Sequence, residues 1–213
     1  MSTRTGALVA FEGPDGVGKT TLVQGVRDAL VDRDFGVSVL SFPGRTPGSL
    51  GALVYGLHHE PQRYGVTHVL PAALQLLHVA AHLDVIDREI RPRIAAGEIV
   101  LLDRYWWSTW VYGVLSGITH STFRTMIELE REHWGELHPA AVFLIRRSID
   151  SIPHAERADF RRRDEEYRAI AATQQDVVEL SNATTVEAAV EQVLRELDTR
   201  LQQRLKPRCG VGA

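Results

Sequence analysis
The sequence predicts an α/β domain with a parallel sheet and crossover helices. Short continuous apolar runs alternate with longer helical patterns along the 213 residues, as in successive strand–helix–strand units. The runs are continuous rather than alternating, as expected of strands covered by helices on both faces. The first run leads directly into Gly13-Pro14-Asp15-Gly16-Val17-Gly18-Lys19-Thr20. That segment fits G-x-x-x-x-G-K-[ST], a loop that cradles phosphates where a strand hands over to a helix.

Taken in order, the first strand is expected over 7–12, where Ala7-Leu8-Val9-Ala10-Phe11 is apolar throughout. A helix follows over 19–32, and a second strand over Val37–Ser41. Helical patterns then cover about 48–58 and 71–96. Pro92 is expected to kink or restart the longer of the two, because it has no N–H to give to the preceding turn. Gly97 is placed to cap it before a third strand, Ile99–Asp103. Helices over 106–115 and 121–134 lead to a fourth strand, Ala140–Ile145. The stretch from about 149 to 172 differs, since Glu156–Arg168 holds five acidic residues and five arginines. Such a run is commonly a solvated, ion-paired helix face. Its position between the fourth and fifth strands of a phosphate-binding fold also suits a closing lid. The fifth strand is Val177–Leu180, and the last helix covers 185–203. Thr184 or Thr185 can cap that helix, with Glu187 in its first turn. One domain, 1–205, with a frayed tail over 206–213 is the simplest division.

Bulk properties narrow the function classes. With 44% hydrophobic and 24% charged residues the chain can bury a proper core. A net charge of −3 gives no electrostatic case for nucleic-acid or membrane partners. The single cysteine, Cys209, allows no intrachain disulfide. Residues 1–6 lack a signal peptide's apolar core, and no run approaches the roughly 18 apolar residues of a membrane span. A cytoplasmic location is expected.

The loop residues carry the first chemical reading. Gly13, Gly16 and Gly18 let the backbone curl so that N–H groups, those of Val17 and Thr21 among them, point inward with the helix dipole. Lys19 adds a mobile cation for the outer phosphates, and Thr20 offers a hydroxyl to Mg2+. The 24 basic residues include only two lysines, Lys19 and Lys206. Composition alone would favour arginine at position 19.

Four segments resemble the thymidylate kinase family of nucleoside monophosphate kinases. They are Phe11–Thr21; Phe42-Pro43-Gly44-Arg45-Thr46-Pro47-Gly48-Ser49; Leu101-Leu102-Asp103-Arg104-Tyr105-Trp106-Trp107-Ser108 followed by Tyr112; and the arginine-rich segment followed by Val178–Ala183. The resemblance runs from about residue 7 to 200. It implies a five-stranded parallel sheet of order 2-3-1-4-5, a short arginine-rich lid, and a homodimer pairing through the helices at 48–58 and 71–96. It also implies an ATP donor, Mg2+ and a nucleotide acceptor. Thr20 and Asp103 would serve the metal. Asn182 would lie at the adenine. Asp15 would approach the acceptor's 3′-hydroxyl, and Tyr112 the sugar's 2′ position. Arg104 and Arg45 would clamp the acceptor phosphate, with Phe42 and Ser108 in the same pocket. Gly16 stands where some relatives carry a loop arginine. The lid would then supply the transition-state cation from Arg157, Arg161, Arg162 or Arg163, with Arg161 and Arg163 preferred.

The chain departs from the family's pattern where the nucleobase is read. Leu76-Leu77-His78-Val79-Ala80-Ala81-His82 stands in place of a motif like L-L-F-A-A-D-R. His78 thus replaces a stacking phenylalanine and His82 an arginine. Both histidines can still contact an acceptor, and their i, i+4 spacing lacks the intervening glutamate of a zinc motif. Leu144-Ile145-Arg146-Arg147 also replaces a leucine-aspartate pair. A kinase of an unphosphorylated nucleoside or other metabolite is one alternative. A slowly hydrolysing or non-catalytic nucleotide-binding protein is another.

Overall fold
The computed structural model of the chain describes residues 6–181 and 185–205, with residues 202–205 described by backbone alone. Five strands, β1 (Ala7–Glu12), β2 (Val37–Ser41), β3 (Ile99–Asp103), β4 (Ala141–Arg146) and β5 (Val177–Ser181), form one sheet. The order is β2-β3-β1-β4-β5 and every pairing is parallel. The fold expected from the sequence is therefore present. The register sets Phe11 and Ser41 on either side of Asp103, so three chain segments end together at the sheet's carboxyl edge.

The central strands β1, β3 and β4 are almost continuously apolar because alternate residues enter two different cores. Leu8, Ala10, Val100, Leu102, Val142 and Leu144 pack on one face. They meet α3 (Pro71–Val85), α5 (Trp106–Leu115), α6 (His120–Trp134) and α7 (Arg157–Ala171). Val9, Phe11, Ile99, Leu101, Ala141, Phe143 and Ile145 pack on the other, against α1 (Lys19–Val31) and α8 (Val186–Leu205). With a side-chain period of two, a slip of one residue would exchange the two sets.

Three boundaries differ from the sequence expectation in instructive ways. Helix α2 is Leu50–His59 rather than 48–58, because the Ser49 hydroxyl accepts from the Ala52 N–H at 3.1 Å and fixes the start. The long pattern 71–96 is not one α-helix. A π-helical turn, Ile86–Ile90, separates α3 from α4 (Arg91–Ala95), whose second residue is Pro92. Proline can neither bond to nor sit close against the carbonyl four residues back, and the wider turn relieves both conflicts. Gly97, at φ 89°, ends α4, with the N–H groups of Gly97 and Glu98 reaching Ile94 O and Arg93 O, each at 3.0 Å. The charged segment contains a real helix, α7, after two short 3₁₀ turns at Ile149–Ser151 and His154–Glu156. It buries Phe160, Tyr167, Ile170 and Ala171 beneath its charges. Thr185 caps α8 through Ala188 N–H at 3.3 Å; Thr184 and the tail from 206 lie outside the described residues.

Candidate active site
The glycine loop leaves β1 in a conformation that only glycine accepts easily. Gly13 has φ 138°, and a Cβ there would sit 2.3 Å from Ile145 O. Gly16 and Gly18 follow at φ 78° and 92°. Gly18 is the N-cap of α1 and no side chain satisfies the first N–H groups, which leaves them facing the loop. Lys19 folds back over this loop, its Nζ donating to Gly13 O at 2.7 Å and Pro14 O at 2.8 Å. Burial first, and the Arg104 charge second, push the ammonium down to about 8. Thr20 donates to Asp103 Oδ2 at 2.8 Å, so a hydroxyl and a carboxylate meet beside the start of α1. Two such oxygens suit a hard cation that keeps other positions for water and phosphate. No group of three or more His, Cys, Asp or Glu able to hold a metal occurs among the described residues. Beside the loop, a cavity of about 150 Å3 is lined by Val17, Thr21, Leu180, Ser181 and Val186. Asn182, expected at the adenine, lies outside the described residues.

Arg104 joins this loop to the second half of the site. It sits at φ 78°, a region seldom used by residues with a Cβ, and its N–H bonds to Phe11 O at 3.0 Å. Its guanidinium pairs with Asp15 and donates to Ser108 Oγ at 3.1 Å. The Tyr112 hydroxyl donates to the other Asp15 oxygen. Burial alone would push Asp15 up, but Arg104 and Tyr112 together hold its carboxyl below the usual range. The support behind them is Glu12, fully buried at the end of β1. Glu12 Oε1 accepts from the N–H groups of Tyr105 at 2.7 Å and Ser108 at 3.0 Å, and Oε2 from Ser108 Oγ at 2.7 Å. It thereby caps α5 from outside the helix, and burial pushes its carboxyl up. Ser108 Oγ also meets Tyr167 OH at 2.9 Å, tying α7 to the same centre.

A cavity of about 380 Å3 opens from Asp15, Arg104 and Tyr112 towards α2 and α3. Phe42, Arg45, Tyr55, His58, His78 and His82 are in its wall. Phe42 stacks on His82 at 3.9 Å between ring centroids and 11° between planes. His82 Nδ1 lies 3.0 Å from Glu130 Oε1, with both side chains buried. His78 Nε2 lies 3.1 Å from His58 Nδ1. Burial first, then the neighbouring histidines, push His78 down to about 3. The Arg45 guanidinium rests over the Tyr55 ring at 4.5 Å.

The sequence-predicted residues thus largely converge. Asp15, Lys19, Thr20, Asp103, Arg104, Ser108 and Tyr112 form one linked group, and Phe42, Arg45, His78 and His82 line the adjoining cavity. Among the lid arginines, Arg163 lies over the Tyr112 ring at 5.7 Å, whereas Arg161 is exposed. Arg157 is engaged with Ile152 O and Asp150 O, at 3.0 and 3.1 Å. Sequence reasoning missed Glu12, His58, Glu130, Arg147 and Tyr167. Glu130 did leave a signal, because it falls in the apolar stripe Phe123, Met126, Ile127 and Trp134 of α6. Arg147 Nη1 donates to Gly16 O at 3.2 Å, close to the loop position that lacks a side chain.

The family model described as thymidylate kinase matches residues 11–201. The chain is 32% identical over 162 residues to a thymidylate kinase of Bartonella quintana, covering 76% of this chain and 72% of that one. It is 37% identical over 108 residues to a thymidylate kinase of Bifidobacterium longum and 32% over 107 residues to one of a Thermoanaerobacter species. Those two alignments span only about half the length of the relatives they match.

Proposed function
The chain belongs to the thymidylate kinase family, a family of nucleoside monophosphate kinases, and on that premise we propose that it phosphorylates thymidylate or a related deoxynucleotide with ATP. The observation that carries this reading is the junction at Asp15. One loop residue is bound simultaneously by Arg104 and Tyr112, so the phosphate-binding loop and the 380 Å3 cavity share a wall.

An oxygen of the acceptor's phosphate attacks the γ-phosphorus of ATP, the bond to the β–γ bridging oxygen breaks, and ADP leaves with the electron pair. The acceptor is already an anion, so no strong general base is required; positioning and charge neutralisation carry the catalysis. Lys19 and the N–H groups opening α1 hold the donor's outer phosphates. Thr20 and Asp103 would hold Mg2+, which would supply charge neutralisation for the donor's phosphates. Arg104 and Arg45 present guanidinium forks to the acceptor phosphate. Asp15 accepts from the sugar hydroxyl, and Tyr112 occupies the side that a 2′-hydroxyl would need. Arg163 closes over Tyr112 to neutralise the group in flight, and Ser181 with Asn182 holds the adenine. Domain closure through 149–172 would exclude water from the transfer.

The exposed Leu53, Leu70, Leu76 and Tyr64 on and beside α2 and α3 support pairing of two copies through these helices. No helix among the described residues is long and apolar enough to cross a membrane; a cytoplasmic site of action fits that reading.

The test is ADP release with Mg-ATP and a panel of nucleoside monophosphates and nucleosides. Turnover with a deoxynucleoside monophosphate, abolished in a folded Lys19→Ala protein, is the expected result. Turnover confined to nucleosides would replace this reading by kinase action on an unphosphorylated acceptor.

A further inference from the structure
The cavity wall contains two kinds of histidine. His82 is fixed, because its Nδ1 faces the carboxylate of Glu130 at 3.0 Å. A carboxylate only accepts, so that nitrogen carries a proton. His58 and His78 are not fixed in this way. Their facing nitrogens lie 3.1 Å apart with the rings at 82°, an edge-on hydrogen bond between two imidazoles. Each neutral imidazole is a donor at one nitrogen and an acceptor at the other. One proton must lie between the two rings, and either ring can supply it.

The two arrangements differ at the outer nitrogens. If His58 Nδ1 donates, His78 carries its proton on Nδ1 and His58 Nε2 is bare. If His78 Nε2 donates, His78 Nδ1 is bare and His58 Nε2 carries the proton. In both states the pair offers one donor and one acceptor, but the order is reversed. Burial, with neighbouring histidine charge, lowers the proton affinity of both rings, which keeps the pair neutral near pH 7.

Pyrimidine bases differ by the same reversal. A 4-oxo base presents an acceptor at position 4 and a donor at N3; a 4-amino base presents a donor at position 4 and an acceptor at N3. A monophosphate held at Arg104 and Asp15 leaves its base to the remaining wall of the same cavity. We propose that the His58–His78 pair is a reversible reader of the acceptor base, so that one site takes both 4-oxo and 4-amino pyrimidine deoxynucleoside monophosphates. The inference rests on the monophosphate kinase reading and deepens it. His58 becomes a specificity-determining residue that acts through His78, by setting which of its nitrogens carries the proton.

A site with a fixed donor rejects an acceptor of the wrong polarity by about 10⁴-fold. The coupled pair replaces that rejection by a double tautomer exchange: the shared proton crosses from His58 Nδ1 to His78 Nε2 while His78 Nδ1 releases a proton to water and His58 Nε2 takes one up, so both rings stay neutral. The experiment measures kcat/KM with Mg-ATP for thymidylate, deoxyuridylate and deoxycytidylate, in the wild type and in two variants. For the wild type, values for the two classes within about tenfold of each other are expected. His58→Glu offers only an acceptor, locks the proton on His78 Nε2, and should shift the ratio at least about tenfold towards the 4-amino substrate. His58→Gln carries an amide that can turn either face, and should keep both substrates. In parallel, the nitrogen resonances of His78 in histidine-labelled wild-type protein are followed on saturation with each ligand. Thymidylate and deoxycytidylate should move Nδ1 in opposite directions.

Rejection of deoxycytidylate by about 10³-fold or more, with thymidylate turned over, overturns the inference and leaves the kinase reading intact. Unchanged Nδ1 resonances with both ligands bound do the same. Failure of every monophosphate to bind or react overturns the kinase reading itself.

Discussion

Removing the Glu12 carboxylate should loosen the active site from behind. In Glu12→Ala, the N–H groups of Tyr105 and Ser108 lose acceptors that now lie at 2.7 and 3.0 Å. Both residues are buried; the Tyr105 N–H is orphaned at a cost of about 1–3 kcal/mol, whereas the Ser108 N–H keeps Tyr105 O at 3.2 Å and loses about 1 kcal/mol. The Ser108 hydroxyl keeps a partner in Tyr167 and adds little. The sum is a loss of about 2–4 kcal/mol, within the range for breaking a buried hydrogen-bond network. At about 2–4 °C per kcal/mol for a chain of this size, Tm should fall by roughly 4–16 °C. Glu12→Gln keeps an acceptor oxygen for both N–H groups and should cost under about 2 kcal/mol. Because Arg104 and Ser108 are positioned by this network, the Ala variant should also raise KM for the acceptor more than KM for ATP. Thermal unfolding and steady-state ADP release measure both effects. A Tm within about 2 °C of wild type would refute the argument that Glu12 holds the start of α5.

Gly13→Ala places a Cβ against Ile145 O at φ 138° and should abolish ATP binding in titration calorimetry. Gly16→Ala, whose Cβ meets nothing within 4 Å, is the milder comparison, and equal damage from both would contradict the assigned close approach. Arg163→Ala should lower kcat by about 10²-fold or more with ATP affinity nearly unchanged, while Arg161→Ala stays near wild type; the reverse ranking would move the catalytic role to Arg161. His78 has its proton affinity lowered from 6.5 to about 3, with His58, His59, His82 and Arg104 facing it. The stability it contributes is complete above about pH 6.5 and is lost as pH falls towards 3, by up to about 1.4 kcal/mol per pH unit. Denaturation of His78→Gln across that window should show a shallower acid loss; identical slopes would contradict the shift.

The sheet was legible because the strands are short, largely apolar runs set between helical patterns, and all five appear, with β4 shifted by one residue at both ends and β5 one residue longer. The glycine-loop half of the candidate site was legible for a related reason: Gly13 to Thr20 is contiguous, so its pattern is written in local spacing. Helix α7 was harder to read. Its buried Phe160, Tyr167 and Ile170 are separated by charges, and the composition hides the periodicity. The acceptor half depends on pairs remote in sequence, such as His82 with Glu130 and His58 with His78. Nothing in the neighbourhood of His58 announces that a second imidazole will meet it from another helix. The π turn was half-visible, since Pro92 foretold an interruption but not that it would fall one turn earlier.

The parallel register around Asp103 has a consequence for how such an enzyme diversifies. Phe11 and Ser41 flank Asp103 in the ladder, so an insertion or deletion within any of the three strands would displace Asp103, the glycine loop and Arg104 together. That half of the machine tolerates no gradual change. His58 and His78 instead stand on α2 and α3, outside the ladder, where a single codon can alter the wall without moving a backbone hydrogen bond of the sheet. On the proposed reading, the transfer group is tied to the sheet as a block, while the acceptor wall can change one helix position at a time.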